Sequence, residues 1–442
     1  MWVVIIMMKR LFENELLKWK QNGMTKPLMV IGVRQIGKTH TITEFCKENF
    51  EEFIYIDLEK NNNIRKIFEE TIDPDEILPE LELRLEKSIN LDKTVFFFDE
   101  VQVSERFIVS LKYFNQSEKP FKIICAGSLL GVKLNRFKSS FPVGKVEILH
   151  MYPLNFEEYL MACGQNMLIE KIKSCYIELK PMPDDLHKRS LDLYRKYLCV
   201  GGMPESVLNF ISSDMNIMRF DKNISEILTD MYLADMSKYT ISKFESVKIE
   251  KVYKNISIQL GKENTKRFIY NSIESGASKR KYESSIDWLV SSGMAINCNL
   301  VETIMKPLKA YENTNMFKLY LSDVGMLTSI TGLNFSDIIL DNDFIYKGAI
   351  AENYVACEFL SKSISLNYWH SGNTAEIDFL LYNDDGIIPI EVKASENTKS
   401  QSLKTYVERY KPEYSIRISA KNFGFENNIK SVPLYATFCI KN

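Results

Sequence analysis

Short apolar runs recur through the first third of the chain, and the first three are each followed by a stretch of helical periodicity. The runs are Pro27–Ile31, Phe53–Asp57, Thr94–Phe98, Lys122–Ala126 and Lys145–Leu149, and the stretches between them predict helices over Lys38–Phe50, Asp75–Ser88 and Ser104–Gln116. Strands apolar on both faces, alternating with helices, predict an α/β fold around a buried parallel sheet. From Asp221 to about Ile330 the pattern is helical, with Ile224, Ile227, Leu228, Met231 and Tyr232 on one stripe. Three helices over Val247–Leu260, Thr265–Ile273 and Ser278–Val290, then strands over Met294–Leu300 and Phe317–Leu321, predict a winged helix whose wing is the loop Lys306–Asn315. Beyond a polar linker, Asp337–Asp343, an amphipathic helix over Lys347–Leu360 precedes strands over Leu366–His370, Glu376–Leu381 and Ile387–Lys393. The division expected is 1–160, 161–240, 241–335 and 336–442.

Composition narrows the partners. A chain of 442 residues is too long for one compact core, and its net charge of −2 supplies no global field for nucleic acid, so any such binding needs a local patch. Eight scattered cysteines without C-x-x-C spacing read as reduced thiols of a cytoplasmic protein, and four isolated histidines argue against a zinc site. The apolar N-terminus, Met1–Met8, is too short to span a bilayer and is followed, not preceded, by its basic residues. A buried first strand, or a start codon upstream of the functional one, fits it better.

The chemistry is concentrated after the first apolar run. Gly32-Val33-Arg34-Gln35-Ile36-Gly37-Lys38-Thr39, followed by His40, is a complete phosphate-binding loop between a strand and a helix. Its glycines allow backbone N–H groups to converge on a phosphate, Lys38 supplies a charge for the β and γ phosphates, and Thr39 a hydroxyl for Mg²⁺. About sixty residues on, the apolar strand ending Asp99-Glu100 provides one carboxylate for Mg²⁺ and one to direct the attacking water. Ser128, after the strand Lys122–Ala126, is a candidate sensor of the γ phosphate, and Gln102 a further contact for the water. A turn serine is the plainer alternative at 128.

Two more clusters stand out. Lys279-Arg280-Lys281 open the third predicted helix of the middle region, where they can meet DNA phosphates or simply form a solvated face. In the last region Asp378 and Glu391 lie on neighbouring predicted strands, with Lys393 two residues beyond Glu391 and Glu352 on the preceding helix. That set can gather one hard cation and a lysine that activates water, with Gln401 and Tyr406 flanking it. The same charges can equally be a salt-linked structural cluster in a domain that does not cut.

These motifs, together with Tyr152-Pro153-Leu154-Asn155-Phe156 and Val200-Gly201-Gly202-Met203-Pro204, resemble bacterial and archaeal AAA-type P-loop ATPases. The relatives carry a middle winged helix and a C-terminal RecB-like domain of the restriction-endonuclease fold. The resemblance implies Mg²⁺-dependent ATP hydrolysis that controls the C-terminal module. In that family a Gly-Arg pair commonly precedes the Pro-Leu segment. Here it is Gly144-Lys145, which keeps charge but loses the bidentate fork, so Arg136 or an arginine of another copy stands as the alternative finger. The cofactors called for are ATP and Mg²⁺, with a second divalent cation if the C-terminal domain is catalytic. The partners left open are DNA, another protein and further copies of the chain, and no membrane is expected. Two other readings remain: a nucleotide-gated DNA-binding protein or endonuclease, and an ATP-binding scaffold without turnover.

Overall fold

The computed structural model describes residues 8–128, 130–135, 141–238, 240, 242–262, 267–372, 375–396 and 401–441. The expected N-terminal strand and Arg136 lie outside them. The chain divides into two compact units, Lys9–Tyr152 with Ser291–Gly293, and Pro153–Val290 with Met294–Asn442.

The first unit is built on five strands, β1 (Leu28–Ile31), β2 (Glu52–Asp57), β3 (Thr94–Asp99), β4 (Lys122–Gly127) and β5 (Glu147–His150). They lie in the order β2-β3-β4-β1-β5, every pairing parallel. β1 and β3 are buried at every position because helices cover both faces, which is why neither strand alternates in sequence. β4 therefore lies between the strand that feeds the glycine-rich loop and the strand that ends in Asp99. Phe68, Phe98 and Phe107 meet at centroid distances of 4.7 to 5.8 Å in the core under this sheet. The helix predicted over Asp75–Ser88 runs Pro74–Leu85: Asp73 caps it, Pro74 occupies the first turn where no N–H is needed, and Glu86 closes it in the left-handed region.

In the second unit, helices precede and enclose two sheets. One is β7-β6-β8-β9, formed by β6 (Ala295–Val301), β7 (Glu312–Leu321), β8 (Asn367–His370) and β9 (Glu376–Ile377). The other joins β10 (Phe379–Asn383), β11 (Gly386–Val392), β12 (Ser415–Ser419), β13 (Gly424–Glu426) and β14 (Ile429–Pro433) in the order β10-β11-β12-β14-β13. The predicted hairpin forms, with Ala295 opposite Leu321, but β6 also pairs in parallel with β8 through Asn299 and Leu300. The hairpin thus belongs to a sheet shared with the last region. Two segments quoted above for the resemblance also meet: Leu154 N–H donates to Gly202 O at 2.7 Å, and a Cβ on Gly202 would lie 2.0 Å from Leu154 O. Only glycine permits that approach.

Two local expectations are corrected. Where a helix was predicted over Thr265–Ile273, the described part, 267–273, has only a 3-10 turn at Tyr270–Ser272. Phe268 N–H donates to Phe317 O of β7 at 2.6 Å, Phe268 stacks on Phe317, and Gln259 Oε1 accepts from Ile269 N–H, so the backbone donors there are spent outside any helix. The strand expected over Glu376–Leu381 breaks at Asp378, whose Oδ2 takes the Val392 N–H at 2.8 Å. The predicted wing starts with a 3-10 turn, Leu308–Tyr311, and is strand from Glu312 onward. Among the described residues, no helix is long and apolar enough to cross a membrane. The eight cysteines are all unbridged, and all but Cys357 are buried.

Candidate nucleotide site

The glycine-rich loop leaves the end of β1 and opens the helix Lys38–Asn49. Gln35 and Gly37 take φ of 65° and 89°, left-handed values that turn the backbone tightly into the helix N-terminus. Concave backbone of this kind, at the positive end of a helix dipole, suits a phosphate. A Cβ at Gly32 would stand 2.4 Å from Met151 O, so glycine is required there for close packing. Val33 and Ile36 are buried and hold the loop to the core, whereas Gln35, Thr39 and His40 are exposed. Arg34 Nε donates to Ser128 Oγ at 3.2 Å.

Lys38 folds over the loop, its Nζ donating to Gly32 O at 2.9 Å and Val33 O at 2.6 Å. Thr39 Oγ1 donates to Asp99 Oδ2 at 2.6 Å, and the Glu100 N–H donates to Asp99 Oδ1. Hydroxyl and carboxylate thus meet at one point beside the ammonium, a donor pair that fits a hard cation carrying phosphate oxygens. Burial pushes the Asp99 carboxyl above the usual carboxylate range, and the Thr39 hydrogen bond pulls the other way.

Glu100 sits at φ 52°, a left-handed turn that ends β3 and swings its side chain toward β4. There Gln102 Nε2 donates to Glu100 Oε2, and Ser128 Oγ donates to the same oxygen at 3.4 Å. Gln102 is itself buried, and a Cβ at Gly127 would be 2.5 Å from its Oε1. Sequence placed Glu100, Gln102 and Ser128 as separate candidates, and the structure brings them into one hydrogen-bonded group reaching Arg34 of the loop.

Arg10 was missed. It is buried, and it donates from Nη1 to Ile36 O and from Nη2 to Tyr152 O, each at 2.7 Å. A guanidinium fork is needed to span the two carbonyls. Its only sequence signal was a basic residue just ahead of an amphipathic helix. Gly144 turns at φ 72° and Lys145 is half-buried beside it.

The other two clusters behave differently. Of the basic group in the middle region, Lys279 donates to Asn315 Oδ1 and lies 3.4 Å from Glu283, while Lys281 pairs with Glu274. Arg280 is exposed. In the C-terminal region the four predicted residues fall into two groups. Glu352 and Asp378 lie with Glu376 around Lys318 of β7, whose Nζ is 2.8 Å from Glu352 Oε1 and 2.5 Å from Glu376 Oε1. Glu391, 1% exposed, instead faces Arg417 Nε at 3.2 Å and Lys393 Nζ at 3.5 Å. Tyr406 is buried edge-on against Trp369 and serves the core, and Gln401 is exposed at the start of its helix.

The family described as AAA domain matches residues 24–160, and two families described as domains of unknown function, DUF8612 and DUF4143, match 191–337 and 347–437. No curated protein matches the chain. Among solved structures, a Walker-type ATPase of Pyrococcus abyssi is 14% identical, with TM-score 0.46 over 74% of this chain and 96% of that one. The Aeropyrum pernix ORC2 protein is 13% identical, with TM-score 0.35 over 77% and 92%. The Thermotoga maritima RuvB Holliday junction branch migration motor is 12% identical, with TM-score 0.28 over 76% and 96%. Likenesses this distant say nothing of shared activity. The family match at 24–160, on a parallel sheet carrying a complete glycine-rich loop, makes the N-terminal region a P-loop ATPase domain of the AAA type.

Proposed function

We propose that the chain binds ATP with Mg²⁺ at 32–40 and hydrolyses it, and that nucleotide state controls the conformation of the C-terminal region. The observation that carries this reading is the meeting of Thr39 Oγ1 with Asp99 Oδ2 at 2.6 Å beside the Lys38 ammonium and the Glu100 carboxylate. Mg²⁺, when bound, supplies charge neutralisation to the β and γ phosphates, and Thr39 and Asp99 are the residues that would hold it. Gly32, Val33, Arg34, Gln35, Ile36, Gly37 and His40 shape the loop and its mouth, presenting backbone donors to the phosphates. Lys38 exchanges two backbone carbonyls for phosphate oxygens. Glu100 accepts a proton from the attacking water or orients it, and Ser128 senses the γ phosphate through the group it shares with Gln102 and Arg34.

A second reading, an ATP-binding regulator without turnover, draws on the hydrogen bonds that hold Glu100 to Gln102 and Ser128. A carboxylate so engaged must be released before it can direct water. Phosphate release by wild type and Glu100→Gln, with and without DNA, separates the readings. The proposal expects turnover in wild type and binding without turnover in the variant. Nucleotide binding with background phosphate release in wild type under every condition would leave the regulator, and stimulation by DNA would add nucleic acid as a partner.

A further inference from the structure

The restriction-endonuclease resemblance calls for a divalent cation among Glu352, Asp378 and Glu391, so the donor set can be tested against that demand. A hard cation needs several carboxylate oxygens with lone pairs turned to one point. Among the described residues, no three His, Cys, Asp or Glu side chains are gathered in that way.

Each carboxylate is instead served by a donor of the protein. Glu352 Oε1 accepts from both Lys318 Nζ and the Tyr320 hydroxyl. Glu376 Oε1 takes the same ammonium at 2.5 Å. Asp378 Oδ2 takes a backbone N–H from the neighbouring strand, and Glu391 faces a guanidinium. Lys318 itself is 7% exposed and lies 5.3 Å from the Tyr368 ring centroid. Burial works against its charge, yet Glu352 and Glu376 foremost hold the ammonium above its ordinary range, whereas burial and then the charge of Glu352 push the Asp378 carboxyl up to about 8, so that it adds less to the balance. The residues present do not fit a metal: the centre of the cluster is taken by a protonated amine.

We infer that Lys318 is the resident cation of this cluster, so that the C-terminal region keeps its carboxylates without a divalent metal and does not cut nucleic acid. The lysine comes from β7, the carboxylates from the helix Lys347–Ser361 and from β9. The ion group therefore ties the hairpin to the last region. This inference does not depend on nucleotide turnover.

The test uses the full chain free of nucleotide. Titration with Mn²⁺ followed by its electron paramagnetic resonance signal is expected to show no stoichiometric binding in wild type, and EDTA is expected to leave the thermal midpoint unmoved. Supercoiled plasmid incubated with Mg²⁺ or Mn²⁺ is expected to stay intact. Lys318→Met is expected to lower the midpoint, with Lys318→Arg retaining more of it. Stoichiometric Mn²⁺ binding in wild type that disappears in Asp378→Asn, or plasmid cleavage that disappears in Lys393→Ala, would overturn the inference. Should Lys318→Met fail to fold, the wild-type metal and plasmid measurements still decide.

Discussion

Two lysines in this chain sit over oxygen atoms, and the oxygens differ. Lys38 rests on the neutral carbonyls of Gly32 and Val33, whereas Lys318 rests on the carboxylates of Glu352 and Glu376. A hydrogen bond to a carbonyl is readily traded for one to a phosphate, because the incoming oxygens bring negative charge that the carbonyls lack. An ammonium already neutralising two half-buried carboxylates has no such exchange open to it. The first arrangement awaits an anion, and the second is complete. Similar side chains at similar distances thus make an open site in one region and a closed one in the other.

That contrast can be broken at several points. The largest effect is expected at Glu100, where Glu100→Gln removes the carboxylate proposed to direct water while leaving the loop intact. Turnover should fall by roughly 10²- to 10⁴-fold with nucleotide affinity largely kept, and an unchanged rate in a phosphate-release assay would remove Glu100 from the chemistry. Next is Lys318→Met, which strands two carboxylates. Breaking a buried pair costs about 3–5 kcal/mol, and because Glu352 and Glu376 are each about one-fifth exposed the loss in denaturant unfolding should fall at or below about 3 kcal/mol. A loss within error would mean that water serves those carboxylates equally well.

Smaller again is Arg10→Lys. A single ammonium cannot span Ile36 O and Tyr152 O, so the loop should loosen by the worth of one charged hydrogen bond, about 1.5–3 kcal/mol. This should appear as weaker nucleotide binding with a nearly unchanged rate at saturation; a fall in rate alone would contradict a positioning role. The smallest is Ser128→Ala, which removes the hydroxyl that donates to Glu100 Oε2 at 3.4 Å and accepts from Arg34 Nε at 3.2 Å and Gln102 Nε2 at 3.4 Å, all long contacts. The change in turnover should be within about threefold, as suits weak hydrogen bonds. A loss as large as that of Glu100→Gln would raise Ser128 from its proposed sensor role to an essential part of the group.

How far the sequence could be read depended on how local each feature is. The loop 32–39 and the Asp99-Glu100 pair are contiguous, and their strands are apolar throughout because both faces are covered, so position and surroundings were both visible. Lys318 was invisible as a site residue because it lies 34 positions before Glu352, in a strand assigned to another module. Arg10 acts on backbone carbonyls, which leave no mark on residue type, across 142 positions to Tyr152. The helix expected near residue 270 failed because its periodicity was real but its donors go to β7 and Gln259, a tertiary claim that propensity does not record. Asp378 was placed in a continuous strand for the opposite reason: its neighbours have strand character, and only its own side chain interrupts the ladder.

The parallel pairing of β6 with β8 decides where this polypeptide can be cut. Residues 294–335 expressed without the last hundred or so residues would expose an unpaired β6 edge, an invitation to self-association. The two pieces, produced separately and mixed, would have a ladder through Asn299, Leu300, Asn367 and Tyr368 on which to rejoin. A cleavage between them should yield fragments that co-elute, whereas fragments that separate cleanly would show that the shared sheet contributes little to holding them.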